Sequence, residues 1–193
     1  MKMLLFLAKG FETMEASVFV DVMGWARNDY NYDIEVITCG FQKTVTSAFG
    51  VPVFVDILLK DICVDEYDAL AIPGGFEEFG FYEEVFSKEL SEIINIFNRQ
   101  QKPIATVCVG ALALAHSGIL TGKKATTYHL NNGYRQKQLA EYGVDVVSEP
   151  VVKTDNIITS YCPQTAPEVA FTLLENLIGT KAMHNVKVAM GFE

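Results

Sequence analysis

The chain has 193 residues, half of them hydrophobic, and 15 Lys and Arg against 24 Asp and Glu give a net charge of −9. This length buries a sizeable core and reads as one soluble domain over residues 1–193. The acidic balance, with no basic patch, excludes a nucleic-acid backbone as partner. No apolar run approaches a membrane span, and the opening run is too short for a secretory signal, so no membrane partner and a cytoplasmic location are expected.

In chain order, residues 2–8 read as a buried first strand. Residues 12–28 read as a helix, with Val18, Val22 and Trp25/Ala26 at helical spacing and Thr13 as its cap. Residues 33–38 form a second strand, and residues 44–56 are extended around a Gly50-Val51-Pro52 turn. Residues 67–72 form a core strand stopped by Pro73-Gly74-Gly75. Residues 83–100 are helical, with Val85, Phe86, Leu90, Ile93, Ile94 and Phe97 facing inward. Residues 104–107 are another core strand, followed by a helix through His116. A short strand at 125–127, a helix at 133–142 and extended segments at 144–147 and 151–160 come next. The last clear helix is 166–178, with Pro167 in its first turn. Alternating strands and helices imply an α/β fold with a mostly parallel sheet covered on both faces. Sites in such sheets form at the carboxyl ends of the strands.

That rule directs attention to Pro103-Ile104-Ala105-Thr106-Val107-Cys108-Val109-Gly110-Ala111, where a strand turns into a helix at a cysteine. This is the arrangement of a nucleophile elbow, with the helix dipole favouring a thiolate. A buried, unreactive thiol fits the same segment equally well. The N–H groups of Gly75 and Val109 would form a two-donor oxyanion hole, although Pro-Gly-Gly is also an ordinary tight turn. Glu15, in the first turn of its helix, complements the dipole by itself. Brought against Cys108 in a dry pocket, it would stay protonated, donate to the sulfur and lower the thiol pKa. His129 is the histidine best placed for a cysteine-linked role, with Tyr128 beside it, whereas His116 falls on the far side of its helix. Residues 76–84 form an acidic, aromatic rim or an exposed loop, and Cys162 borders the pocket or packs as an inert thiol. The four cysteines and three histidines show no metal-ligand spacing, so no metal and no cofactor is expected.

At these residues the chain resembles the ThiJ/PfpI family, within the class I glutamine amidotransferase-like fold. The resemblance rests on residues 7–15 with Val20-Asp21-Val22-Met23, Ile72-Pro73-Gly74-Gly75, residues 105–110, Lys124-Ala125-Thr126-Thr127, and Ile158-Thr159-Ser160 with Pro163 and Thr165. It implies a flavodoxin-like three-layer sandwich, a homodimer, Cys108 as the reactive cysteine, Glu15 as its carboxyl partner, and Gly75 and Val109 as oxyanion donors. Two departures matter. Val109 stands where the protease-like branch has a histidine, and Tyr128 stands where deglycase-like members have one. The expected function is therefore glyoxalase or deglycase chemistry on small reactive carbonyls. The alternatives are a cysteine redox sensor or stress-protective chaperone, and a PfpI-like peptidase or amidase.

Overall fold

The computed structural model describes residues 1–192. In chain order the elements are β1 (Lys2–Phe6), α1 (Thr13–Tyr30), β2 (Glu35–Gly40), β3 (Thr44–Thr46), β4 (Pro52–Phe54), β5 (Ile57–Leu58), β6 (Ala69–Ile72), α2 (Phe81–Val85), α3 (Lys88–Arg99), β7 (Ile104–Thr106), α4 (Ala111–His116), β8 (Lys124–Ala125), α5 (Leu130–Glu141), β9 (Asp145–Val146), β10 (Val151–Thr154), β11 (Ile157–Ser160), α6 (Ala166–Ile178) and α7 (Thr180–Ala189).

One seven-stranded sheet runs β10-β11-β7-β6-β1-β2-β5. All its pairings are parallel except β10 with β11. The central strands are apolar on both faces, as a sheet sandwiched by helices requires: β6 (Ala-Leu-Ala-Ile) is buried at every position. Helices α1, α6 and α7 pack together as one layer, and α3 packs against α2 and α4 as the other. This is the flavodoxin-like α/β sandwich. Strand order turns at β1, whose chain continues to β2 on one side while β6 lies on the other. A crevice at the carboxyl ends of β1, β6 and β7 follows from that topology.

Most expected elements are present, with instructive departures. The stretch expected as one helix over 83–100 is two. The chain breaks at Ser87, which is extended (φ −68°, ψ 152°) and caps α3, its Oγ accepting from the Leu90 N–H at 3.2 Å. The inner face of α3 is as expected, with Leu90, Ile93, Ile94 and Phe97 buried. Thr13 does not cap α1: Glu12 occupies the cap position without a side-chain bond, and Thr13 Oγ1 is buried unpaired. Helix α5 opens with three left-handed residues, Asn131, Asn132 and Gly133 (φ 55°, 58° and 68°), so its regular turns begin at Tyr134. Helix α7 was not expected. Only Ala182 and Val186 on it are buried, too few apolar positions to make a stripe.

Candidate active site

The loop after β1 and the loop after β6 are stitched together. Glu12 N–H donates to the Gly74 carbonyl at 2.8 Å, and Phe76 N–H donates to the Gly10 carbonyl at 3.0 Å. This brings the first turn of α1 over the end of β6. Glu15 is then 1 % exposed, and its Oε2 accepts from Gly74 N–H at 2.6 Å. A side chain on Gly74 could not fit: a Cβ there would stand 2.7 Å from Glu15 Oε2 and 3.0 Å from the Cys108 Cβ. Glu15 and Cys108 therefore close on the same α-carbon. Because Gly74 N–H serves Glu15, the next amide, that of Gly75, is the one left for a ligand.

The elbow is formed as its sequence promises. Val107 is extended (φ −114°, ψ 144°), and Cys108 is left-handed at φ 56°, a region costly for any residue with a Cβ. A 3-10 turn over residues 108–110 then leads into α4. The Thr127 hydroxyl donates to the Cys108 carbonyl at 2.8 Å and pins the turn from the side. Gly110 lets the elbow sit on the end of β6, since a Cβ there would approach the Ile72 carbonyl to 2.6 Å. Its backbone is right-handed helical (φ −57°), so alanine is conformationally acceptable and sterics alone decide. Gly110→Ala is therefore expected to lower stability by about 1–3 kcal/mol, an overpacking penalty. Urea unfolding measures it, and an unchanged midpoint would show that the elbow has slack.

Burial governs the electrostatics. It is the first cause that raises the Glu15 carboxyl, to about 8, with the Gly74 hydrogen bond opposing and the Glu12 charge reinforcing. Glu15 Oε1 has no hydrogen-bond partner. Burial, and then the charge of Glu15, push the Cys108 thiol well above its ordinary range, while the Val109 N–H pulls it down. The expectation that α4 and Glu15 depress this thiol is thus corrected. The helix after the elbow has only six residues, and desolvation outweighs its dipole. Glu15 is protonated at neutral pH, as expected, so the resting pair is a thiol beside a neutral carboxyl.

A cleft of about 610 Å³ opens over this pair. Gly75, Val109, Tyr128, His129 and Cys162 line it together with Glu15 and Cys108, so the structure brings every sequence-chosen residue to one crevice. His129 caps α5, stacks on the Tyr161 ring at 4.0 Å and leaves its Nδ1 buried and unpaired, without a hydrogen bond to Cys108. His116 lies outside the cleft, packed on Phe86 at 4.9 Å between ring centroids. The rim reading of residues 76–84 holds for Phe76, Glu77, Glu78 and Tyr82. Arg135 was missed. It reaches Glu77 Oε2 at 2.7 Å and sits 4.6 Å over the Tyr82 ring, tying α5 across the mouth. Nothing in the sequence pairs it with residues more than fifty positions earlier. Among the described residues, no three His, Cys, Asp or Glu side chains are grouped as metal ligands are, and no helix is long and apolar enough to cross a membrane.

The model of the DJ-1/PfpI family matches residues 1–176. The chain belongs to the DJ-1/PfpI family. It is 31% identical over 190 residues to the Parkinson disease protein 7 homolog of Danio rerio, covering 97% of this chain and 95% of that one. It is 33% identical over 131 residues to Deglycase PfpI of Pyrococcus furiosus, covering 67% of this chain and 74% of the relative. The putative cysteine protease YraA of Bacillus subtilis is 30% identical over 140 residues, 72% of this chain and 78% of that protein. Among solved structures, Drosophila melanogaster DJ-1beta superposes with a TM-score of 0.86 at 26% identity, covering all of this chain and 98% of that one.

Proposed function

We propose that this protein is a cysteine-dependent enzyme of the glyoxalase or deglycase type, acting on small reactive carbonyls. The observation that carries the reading is the Cys108 elbow at φ 56° in an open cleft, next to a carboxyl that is neutral at physiological pH. Strain at a residue of this kind is retained where function needs the geometry. The name of the Pyrococcus furiosus relative, a deglycase, agrees with it.

With methylglyoxal the sequence is as follows. The Cys108 sulfur bonds to the aldehyde carbon, the C=O π pair moves to oxygen, and the thiol proton is transferred to that oxygen, giving a hemithioacetal. Gly75 and Val109 N–H stabilise the developing oxyanion. Glu15, neutral at rest, gives its proton to the neighbouring ketone oxygen while its other oxygen takes the proton from the former aldehyde carbon, forming an enediol. It then protonates the adjacent carbon as it takes back the hydroxyl proton of the sulfur-bearing carbon, leaving a thioester of lactic acid and a neutral Glu15. Water cleaves the thioester and restores the thiol. The balance is one aldehyde and one water to one hydroxy acid, with no outside oxidant. His129 or Tyr128 stands on the cleft wall as a second proton carrier. Incubated with methylglyoxal and no added cofactor, the protein is expected to release lactate. No lactate, or release that survives alkylation of Cys108, rejects the reading.

A second reading, a redox sensor or stress-protective protein, draws on the same pair: a protonated Glu15 would donate to a Cys108 sulfinate. The peptidase reading, which the Bacillus subtilis relative's name suggests, has less support, because Val109 follows the cysteine and His129 makes no hydrogen bond to Cys108. Homodimer assembly belongs to the same proposal, supported by Met14, Val20 and Trp25 exposed along α1.

A further inference from the structure

Cys108 follows β7 and Cys162 follows β11, and these two strands are hydrogen-bonded neighbours. They run parallel with Ile104 opposite Ile157 and Ala105 opposite Ile158. Each cysteine lies two residues past the end of its strand, Cys108 after Thr106 and Cys162 after Ser160. Neighbouring strands lie about 4.8 Å apart, so the two chains leave the sheet side by side. A disulfide spans α-carbons about 4.4–6.8 Å apart. Beyond the paired residues, both cysteines still line the one cleft, Cys108 9 % and Cys162 8 % exposed. Cys162 is held at the start of the 3-10 turn over residues 163–165, its carbonyl accepting from the Thr165 N–H at 2.9 Å and from the Thr165 hydroxyl at 2.8 Å. Cys39 is buried in the core and Cys63 is exposed, and neither lines the cleft.

We propose that Cys108 and Cys162 form a dithiol–disulfide pair, in which a hydroperoxide oxidises Cys108 and Cys162 resolves it. The Cys108 sulfur attacks the terminal peroxide oxygen, the O–O bond breaks, and water or an alcohol leaves. Cys108 is then a sulfenic acid, oxidised by two electrons. The Cys162 sulfur attacks that of Cys108, the S–O bond breaks, and the departing hydroxide takes the Cys162 proton as water. A dithiol reductant returns both thiols. The disulfide withdraws the nucleophile from carbonyl chemistry and keeps it from reaching the irreversible sulfinic state. The pair rests on Cys108 being a reactive thiol and goes beyond either functional reading in giving it a partner.

Peptide mapping tests it. After one equivalent of hydrogen peroxide, alkylation and trypsin digestion without reductant, Cys108 falls in residues 100–123 and Cys162 in residues 154–181, each the only cysteine of its peptide. The expected product is these two peptides joined, lost on dithiothreitol treatment, from protein that runs as a monomer on a non-reducing denaturing gel. In Cys162→Ser and Cys162→Ala, Cys108 should instead gain two oxygens, at least tenfold faster than in the native protein. Equal sulfinic accumulation with and without Cys162, a link from Cys108 to another cysteine, or a Cys108 that stays reduced would each overturn the proposal. Lactate release by the reduced native protein is scored separately. Its absence beside an intact disulfide pair defeats only the carbonyl reading, and its presence without the pair defeats only this one.

Discussion

Replacing Cys108 is expected to lower lactate formation from methylglyoxal by a factor of about 10³ or more, the scale on which loss of a covalent nucleophile acts. Two replacements separate chemistry from conformation. Cys108→Ala keeps a Cβ at φ 56° and so keeps the strain. Cys108→Gly relieves it, since glycine adopts left-handed conformations freely. The left-handed penalty for other residues is about 1–2 kcal/mol, so the glycine variant should unfold at higher urea than the alanine variant although both are inactive. The comparison with alanine holds the loss of sulfur packing constant. Activity in either variant within tenfold of native would remove Cys108 from the mechanism. An alanine variant as stable as the glycine variant would mean that the elbow stores no strain.

The second large effect concerns Glu15. Its carboxyl titrates near 8 in the folded protein and near the ordinary carboxylate value of 4.5 when unfolded. The folded state therefore holds the proton over a range where the unfolded state has released it. Stability from this group is fully present below about pH 4.5 and is lost as pH rises through about 8. At about 1.4 kcal/mol per pH unit, the loss by pH 8 is on the order of 5 kcal/mol. Glu15→Gln removes the titration, keeps the side-chain shape and leaves an oxygen for Gly74 N–H. Native and variant proteins should be similar in stability at pH 4.5, and the variant several kcal/mol more stable at pH 8. Urea unfolding over this range measures it, and parallel curves would show that Glu15 is not a buried acid. The variant should also lose lactate formation, because the amide cannot relay a proton. A residue that weakens the fold at working pH while serving the reaction is what a functional site is expected to contain.

How much of this was legible in the sequence can be judged element by element. The buried strands β1 and β6 announce themselves as short apolar runs closed by lysine or proline, and β7 as a short apolar run opened by Pro103. The α3 face announces itself by Leu90, Ile93, Ile94 and Phe97 at helical spacing. Their periodicity is local, and local patterns survive in one dimension. The break at Ser87 and helix α7 were illegible for the opposite reason: one depends on how two helices meet the sheet, the other on burying its own Ala182 and Val186 against α1 and α6.

The site divides in the same way. The elbow at Cys108, the glycines that let it pass and Glu15 in the first turn of α1 are properties of the amino-acid sequence, and so are Val109 after the cysteine and Tyr128 after the paired threonines. Only tertiary structure decided their chemistry. Burying Glu15 against Gly74 and Cys108 raises both acids, and burial is a property of what packs around a group rather than of the group. Arg135 over Tyr82, and Cys162 lining the same cleft as Cys108, likewise arise from strand order and loop path, which no local pattern encodes.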